Sequence, residues 1–152
     1  MKVGFTGTRF GMTTKQMYAF QDYIRKIPVT HFHHGDCIGA DEEVHNFVKK
    51  WLGDAVVMHV HPCLISNFRA NCAGDVSYRA KDPLMRNRDI VEASHLLIAC
   101  PKEMEEVKMG SGTWATIRYG RNRGIKVVVI LPDGNSTWTE GNDGSRFEGM
   151  SA

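Results

Sequence analysis

The sequence lacks the marks of several protein classes. It contains no apolar run long enough to cross a bilayer. Its N-terminus, MKVGFTGTRF, has neither a hydrophobic stretch nor a small-residue cleavage site. A secretory leader is therefore not expected, and the chain reads as a cytoplasmic protein with no membrane partner. The four cysteines form no CxxC pair, which excludes zinc-ribbon and thioredoxin-like motifs and leaves reduced thiols as the expectation. A surplus of one charge is also missing. Nineteen basic against seventeen acidic residues give a formal net charge of +2, which argues against a nucleic-acid partner held by bulk electrostatics. No internal repeat and no low-complexity block occurs. What is present is 152 residues with 42% hydrophobic side chains, enough for one domain with a sizeable core.

Hydrophobic periodicity alternates between two kinds of segment. Residues 2–6, 29–34, 55–61, 95–100 and 126–131 read as strands, the last (KVVVIL) almost purely β-branched. Residues 13–27, 40–52, 83–93 and 111–122 read as helices. Thr13 and Gln16 have capping-box spacing, Pro28 and Gly53 supply stops, and Pro83 suits a first helical turn. Residues 62–82 have no clear period and are long for a plain connection, so they form a functional loop or are partly structured. Strands that are apolar throughout, alternating with helices, predict right-handed βαβ crossovers and a parallel sheet covered on both faces. The expected fold is α/β: a three-layer Rossmann-like domain over residues 1–134 with a five-stranded, mostly parallel sheet. Residues 135–152 read as a polar, loosely held C-terminal tail.

In such sheets ligands bind beyond the carboxyl ends of the strands, at the switch in strand order. Three glycine-containing turns fall there. The first is Thr6-Gly7-Thr8-Arg9, with hydroxyls and an arginine able to pair with phosphate. The second runs from Gly35 through Asp36 and Gly39 to Asp41, into a helix start where backbone amides suit an anion. Asp36 and Asp41 flank it and are candidates for ribose hydroxyls, whereas Glu42 and Glu43 read as ordinary helix-dipole partners. The third, Gly110-Ser111-Gly112-Thr113-Trp114, opens the last helix as a phosphate cradle. It is neither a Walker A loop, since no Lys follows the glycines, nor the G-x-G-x-x-G dinucleotide fingerprint, since the segment lies after the fourth predicted strand and not in the first βα turn. No coenzyme motif is present, so no cofactor is expected. A Cys2His2 site can be drawn from His59, His61, Cys63 and Cys72, but the spacing matches no finger pattern, and these residues read as strand, loop and pocket-rim positions without a metal. Trp114, Tyr78, Phe68 and Trp138 are candidates for stacking on a base.

Taken together, Gly4-Phe5-Thr6-Gly7-Thr8-Arg9, His34-Gly35-Asp36-Cys37-Ile38-Gly39-Ala40-Asp41, His61-Pro62, Arg88-Asp89-Ile90-Val91 and Gly110-Ser111-Gly112-Thr113-Trp114 occur in one order across about 110 residues. The set resembles the SLOG superfamily of Rossmann-like nucleotide-binding proteins. That superfamily includes the LOG phosphoribohydrolases and the DprA-type fold, and the nearest look-alikes are small single-domain members of phages and bacteria. The resemblance implies a nucleotide or ribose-phosphate ligand and a homo-oligomer. The LOG signature is a Met-x-x-Arg-Lys helix and then Pro-Gly-Gly-x-Gly-Thr-x-x-Glu. Here Arg88 matches the signature Arg, with Arg86 or Arg69 as further positive charge; Asp89 replaces the Lys, and Thr116 occupies the position of the catalytic Glu. The nine residues 101–109 before Gly110 have no counterpart in the signature.

The resemblance therefore leaves three functions to separate. One is hydrolysis of the N-glycosidic bond of a nucleoside monophosphate, with Asp36 or Asp41 steadying the oxocarbenium-like transition state that Thr116 cannot. A second is a non-catalytic sensor or sequestering protein for a nucleotide signal. The third is a DprA-like single-stranded DNA module, against which the even charge balance counts.

Overall fold

Local signals place the helices. Thr13 caps α1 (Thr14–Arg25) with the reciprocal pair its sequence spacing promises. The Gln16 amide donates to Thr13 Oγ1 at 3.0 Å and the Thr13 amide donates to Gln16 Oε1 at 3.1 Å. The buried Gln16 side chain then donates to the carbonyls of Pro101 and Ile130, locking the helix onto the sheet. Thr13→Ala should cost about 1–2 kcal/mol and Thr13→Ser much less, read as shifts in the urea midpoint at constant slope. Asp82 caps α3 (Pro83–Glu92), with Pro83 in the first turn. Ser111 caps α4 (Gly112–Asn122). α2 (Ala40–Trp51) starts from Gly39 with no side-chain cap but has Asp41, Glu42 and Glu43 in its first turn, where carboxylates favour the helix dipole.

The computed structural model describes residues 1–141. The strands are β1 (Lys2–Gly7), β2 (His31–His34), β3 (Val57–Val60), β4 (Val76–Ser77), β5 (Leu96–Cys100), β6 (Lys126–Ile130) and β7 (Ser136–Thr139). They form one sheet in the order β4-β3-β2-β1-β5-β6-β7. All pairs are parallel except β6 with β7. Alternate residues of the central strands feed two cores. Phe5, Phe32, Met58, Ile98, Val128 and Ile130 face α1 and α2, where they meet Phe20, Ile24, Val44 and Phe47. Leu97, Ala99, Val127 and Val129 face the other way, onto Val91, Trp114 and Ile117. Helices thus cover both faces of a mostly parallel sheet, as the apolar strands require. No helix among the described residues is long and apolar enough to cross a membrane.

The sheet has seven strands, not five. β4 is two exposed residues inside the 62–82 segment, which also holds a 3-10 turn at Ser66–Phe68. β7 lies in the region expected to be a loose tail; its Ser-Thr-Trp-Thr run pairs antiparallel with β6 and is exposed throughout. Both are edge strands, and an edge strand needs no apolar face to be held by its neighbour's backbone. The rest of the expected tail, 142–152, lies outside the described residues.

Candidate functional site

The order of strands reverses between β1 and β5: the chain builds outward from β1 through β2, β3 and β4, then returns to the other side of β1. A half-open cleft of about 270 Å³ lies at this point. All three glycine turns meet in it. Thr6, Gly7, Thr8 and Arg9 come from the end of β1, Gly35 and Asp41 from the β2–α2 turn, and Gly110, Ser111, Gly112 and Thr113 from the start of α4.

The β1 turn and α2 are joined backbone to backbone, since the Ala40 amide donates to the Thr8 carbonyl at 2.9 Å. At the α4 end, Ser111 Oγ accepts from the Trp114 amide at 3.1 Å, and the Ala115 amide donates to the Ser111 carbonyl. The amides of Gly112 and Thr113 have no partner within the helix, which makes them anion donors.

Asp41 is the most informative side chain. Its Oδ2 accepts from the amides of Gly35 and Cys37, both at 3.1 Å. Its Oδ1 is buried and has no hydrogen-bond partner. Burial pushes the carboxyl up to about 6, against the opposing pull of the Arg86 guanidinium and the two amides. A buried carboxylate oxygen left without a donor is costly, and a ligand hydroxyl would remove that cost.

Of the arginines expected to supply positive charge, Arg86 is the one that is buried and lines the cleft. Its Nη1 donates to the Gly35 and His61 carbonyls, its Nε to Asn87 Oδ1 at 2.7 Å, and its Nη2 lies 3.7 Å from Cys37 Sγ. Asn87, Lys102 and Glu103 also line the cleft. The 101–109 segment thus reaches the site.

Several expected site residues lie elsewhere. Arg88 sits over the Tyr119 ring at 5.2 Å and lines a separate depression between α3 and α4. Thr116 lines the same depression, its hydroxyl donating to the Gly112 carbonyl. Asp36 does not line the cleft. It is buried with a positive φ of 56°, accepts from the Cys72 amide at 2.7 Å, and lies 3.8 Å from Arg69 Nε. Asp36 and Arg69 therefore fasten the 68–72 segment to the β2–α2 turn, aided by the Ala70 amide donating to the Asp36 carbonyl. Gly39 does not line the cleft; its φ of 87° opens α2 close against the Thr8 and Arg9 carbonyls. His61 contributes its carbonyl to Arg86, while its ring stacks on Tyr78 at 4.1 Å. Trp114 is buried and donates its indole N–H to Glu103 at 3.1 Å.

The drawn set of His59, His61, Cys63 and Cys72 is not assembled. Among the described residues, the grouping of potential ligands is His34, His45 and Cys72, with ligand atoms within 4.8 Å of one another. Hydrogen bonds already occupy it. The Asp36 amide donates to His34 Nδ1 at 3.0 Å, which leaves the proton on Nε2, 2.9 Å from His45 Nδ1. A metal at His34 would have to displace that proton, and the donor set does not fit one as it stands.

Comparison with known protein families, curated proteins and solved structures finds no match to this chain.

Proposed function

We propose that the cleft binds a nucleotide or a related ribose phosphate, in a Rossmann-like manner and in line with the SLOG resemblance. The observation that carries this reading is the convergence of three turns, far apart in sequence, on one hollow at the strand-order switch. The free amides of Gly112 and Thr113, with the Ser111 and Thr113 side chains beside them, suit a phosphate. The unpartnered Asp41 Oδ1 suits a sugar hydroxyl. Arg86 and Lys102 offset the ligand's charge.

Asp41 also supports a hydrolytic version of the same reading. It is the cleft carboxylate whose proton affinity is raised towards neutrality, the property required of a general base that activates water. With Thr116 turned into the other depression and Asp36 committed to the loop, the hydrolytic role would fall to Asp41.

Thermal unfolding in the presence of nucleoside monophosphates and ribose 5-phosphate tests the proposal. A ligand at a hundred times its Kd should raise Tm by about 5–10 °C, and Asp41→Asn should reduce that rise. No shift with any of these compounds at millimolar concentration refutes the binding reading. Base release that is abolished in Asp41→Asn would establish the hydrolytic version; recovery of intact ligand after long incubation would assign a sensor or sequestering role.

A further inference from the structure

We propose that Arg9, laid against Phe68 and flanked by Phe10, is the platform on which the nucleotide's base stacks, so that the cleft favours base-bearing nucleotides over bare sugar phosphates. The inference rests on the binding reading above and assigns Arg9 a different task from the phosphate pairing its sequence position suggests.

The guanidinium lies over the face of an aromatic ring at contact distance. The Arg9 guanidinium carbon lies 3.8 Å from the centroid of the Phe68 ring and 5.8 Å from that of Phe10. Lys102 Nζ lies 4.6 Å from the Phe10 centroid. All four residues line the cleft. Phe68 is fixed behind Arg9 because its carbonyl accepts from the Ile38 amide at 2.9 Å, within the pairing of the β2–α2 turn with the 68–70 segment. Phe10 is 75% exposed, an aromatic ring left in water at the rim of a polar cleft.

An arginine that clamps a phosphate presents its N–H edge; one seated on an arene presents a plane. The face of that plane away from Phe68 is weakly hydrated and suited to a nucleobase, as is the exposed Phe10 ring beside it. The phosphate is then left to the start of α4, on the other side of the cleft.

Calorimetric titration of the protein with AMP, GMP and ribose 5-phosphate tests this, in the wild type and in Arg9→Lys and Phe10→Ala. Both side chains are exposed, so both variants should fold, and circular dichroism checks that they do. The expected result is AMP and GMP binding about tenfold more tightly than ribose 5-phosphate, the scale of one stacked base. Arg9→Lys keeps the charge but loses the plane. It and Phe10→Ala should each remove most of that advantage while changing ribose 5-phosphate affinity less than twofold. Equal weakening of all three ligands by Arg9→Lys would make Arg9 a phosphate ligand and overturn the platform. So would nucleotides that bind no better than the sugar phosphate, and in both cases the cleft reading survives. Failure of every ligand to bind the wild type removes both.

Discussion

Replacing Gly39 by alanine is expected to destabilise the protein by about 2–5 kcal/mol, the sum of left-handed backbone strain and overpacking. Gly39 has a φ of +87°. A Cβ there would lie 2.3 Å from the Arg9 carbonyl oxygen and 2.7 Å from that of Thr8, both backbone atoms. No side-chain rotation relieves such a clash, so α2 or the β1 turn has to move. That movement would break the Ala40–Thr8 hydrogen bond and pull Asp41 away from Thr8 and Arg9, so ligand binding should fall with stability. Gly53→Ala is the matched control. Gly53 also has a positive φ, of 54°, but nothing lies within 4 Å of its added Cβ; the substitution should cost only about 1–2 kcal/mol of backbone strain. Urea unfolding of the two variants reads the difference. Equal costs would mean that the β1 turn does not press on α2 as described.

The contrast between Gly39 and Gly53 also shows what the sequence discloses. Both glycines mark a boundary of α2, Gly39 its start and Gly53 its end, and all three turns of the cleft were visible as glycine-containing segments between strand and helix. Which glycine is pinned by a distant backbone is a tertiary fact. The capping box of Thr13 and Gln16, the helix stops and the central strands were legible because each rests on local chemistry. β4 and β7 were not, because their stability comes from neighbours' backbones rather than from their own apolar pattern.

Arg86 and Arg88 are a different case, since a usable signal existed. Two residues are about 200° apart around a helix, so only one of the pair can face the cleft. Arg86 stands four residues before the buried Ile90 and shares its side of α3, which points Arg86 inward and Arg88 towards α4. For Asp36 and Asp41 no such signal existed: both sit in one glycine-framed turn, and only the positive φ of Asp36 sends its carboxylate to Cys72 and Arg69 instead of to the cleft.

Stability should fall steeply as pH drops from 6.5 towards 4.5, because the sheet carries a histidine array that folding holds neutral. β2 and β3 lie side by side with His33 opposite His59. On the face opposite α1 and α2, His31 Nδ1 meets His59 Nε2 and His33 Nδ1 meets His61 Nε2, each at 2.8 Å. The rings of His33 and His59 stack at 4.0 Å, and Tyr78 caps the array by stacking on His61 and approaching His59 Nδ1 at 2.9 Å. Burial, with mutual repulsion adding to it, pushes His33 down to about 3 and His61 down to about 4. His34, His45 and His59 are shifted the same way. Lys2, Lys81 and Arg86 around the array reinforce the shift, while Asp75 and Asp89 oppose it.

A base whose affinity for protons is lowered by folding stabilises the unfolded state once the pH falls below its unfolded value of about 6.5. The loss continues until the pH reaches the folded value. At pH 4.5, His33 and His61 should each cost about 2–3 kcal/mol. Asp41 works in the opposite sense. Its carboxyl is raised to about 6 in the folded protein, so protonation between pH 6 and 4 favours folding by about 2 kcal/mol. The histidines outweigh it. The urea midpoint should therefore be flat from pH 8 to 7 and fall below 6.5. His33→Gln should make that fall shallower even where it lowers stability at pH 8, since it removes a group that protonates on unfolding. In Asp41→Asn the fall should become steeper. A midpoint that holds steady from pH 7 to 4.5 would show that the array is already charged or open to water in the folded protein, and the neutral ladder described above would be wrong.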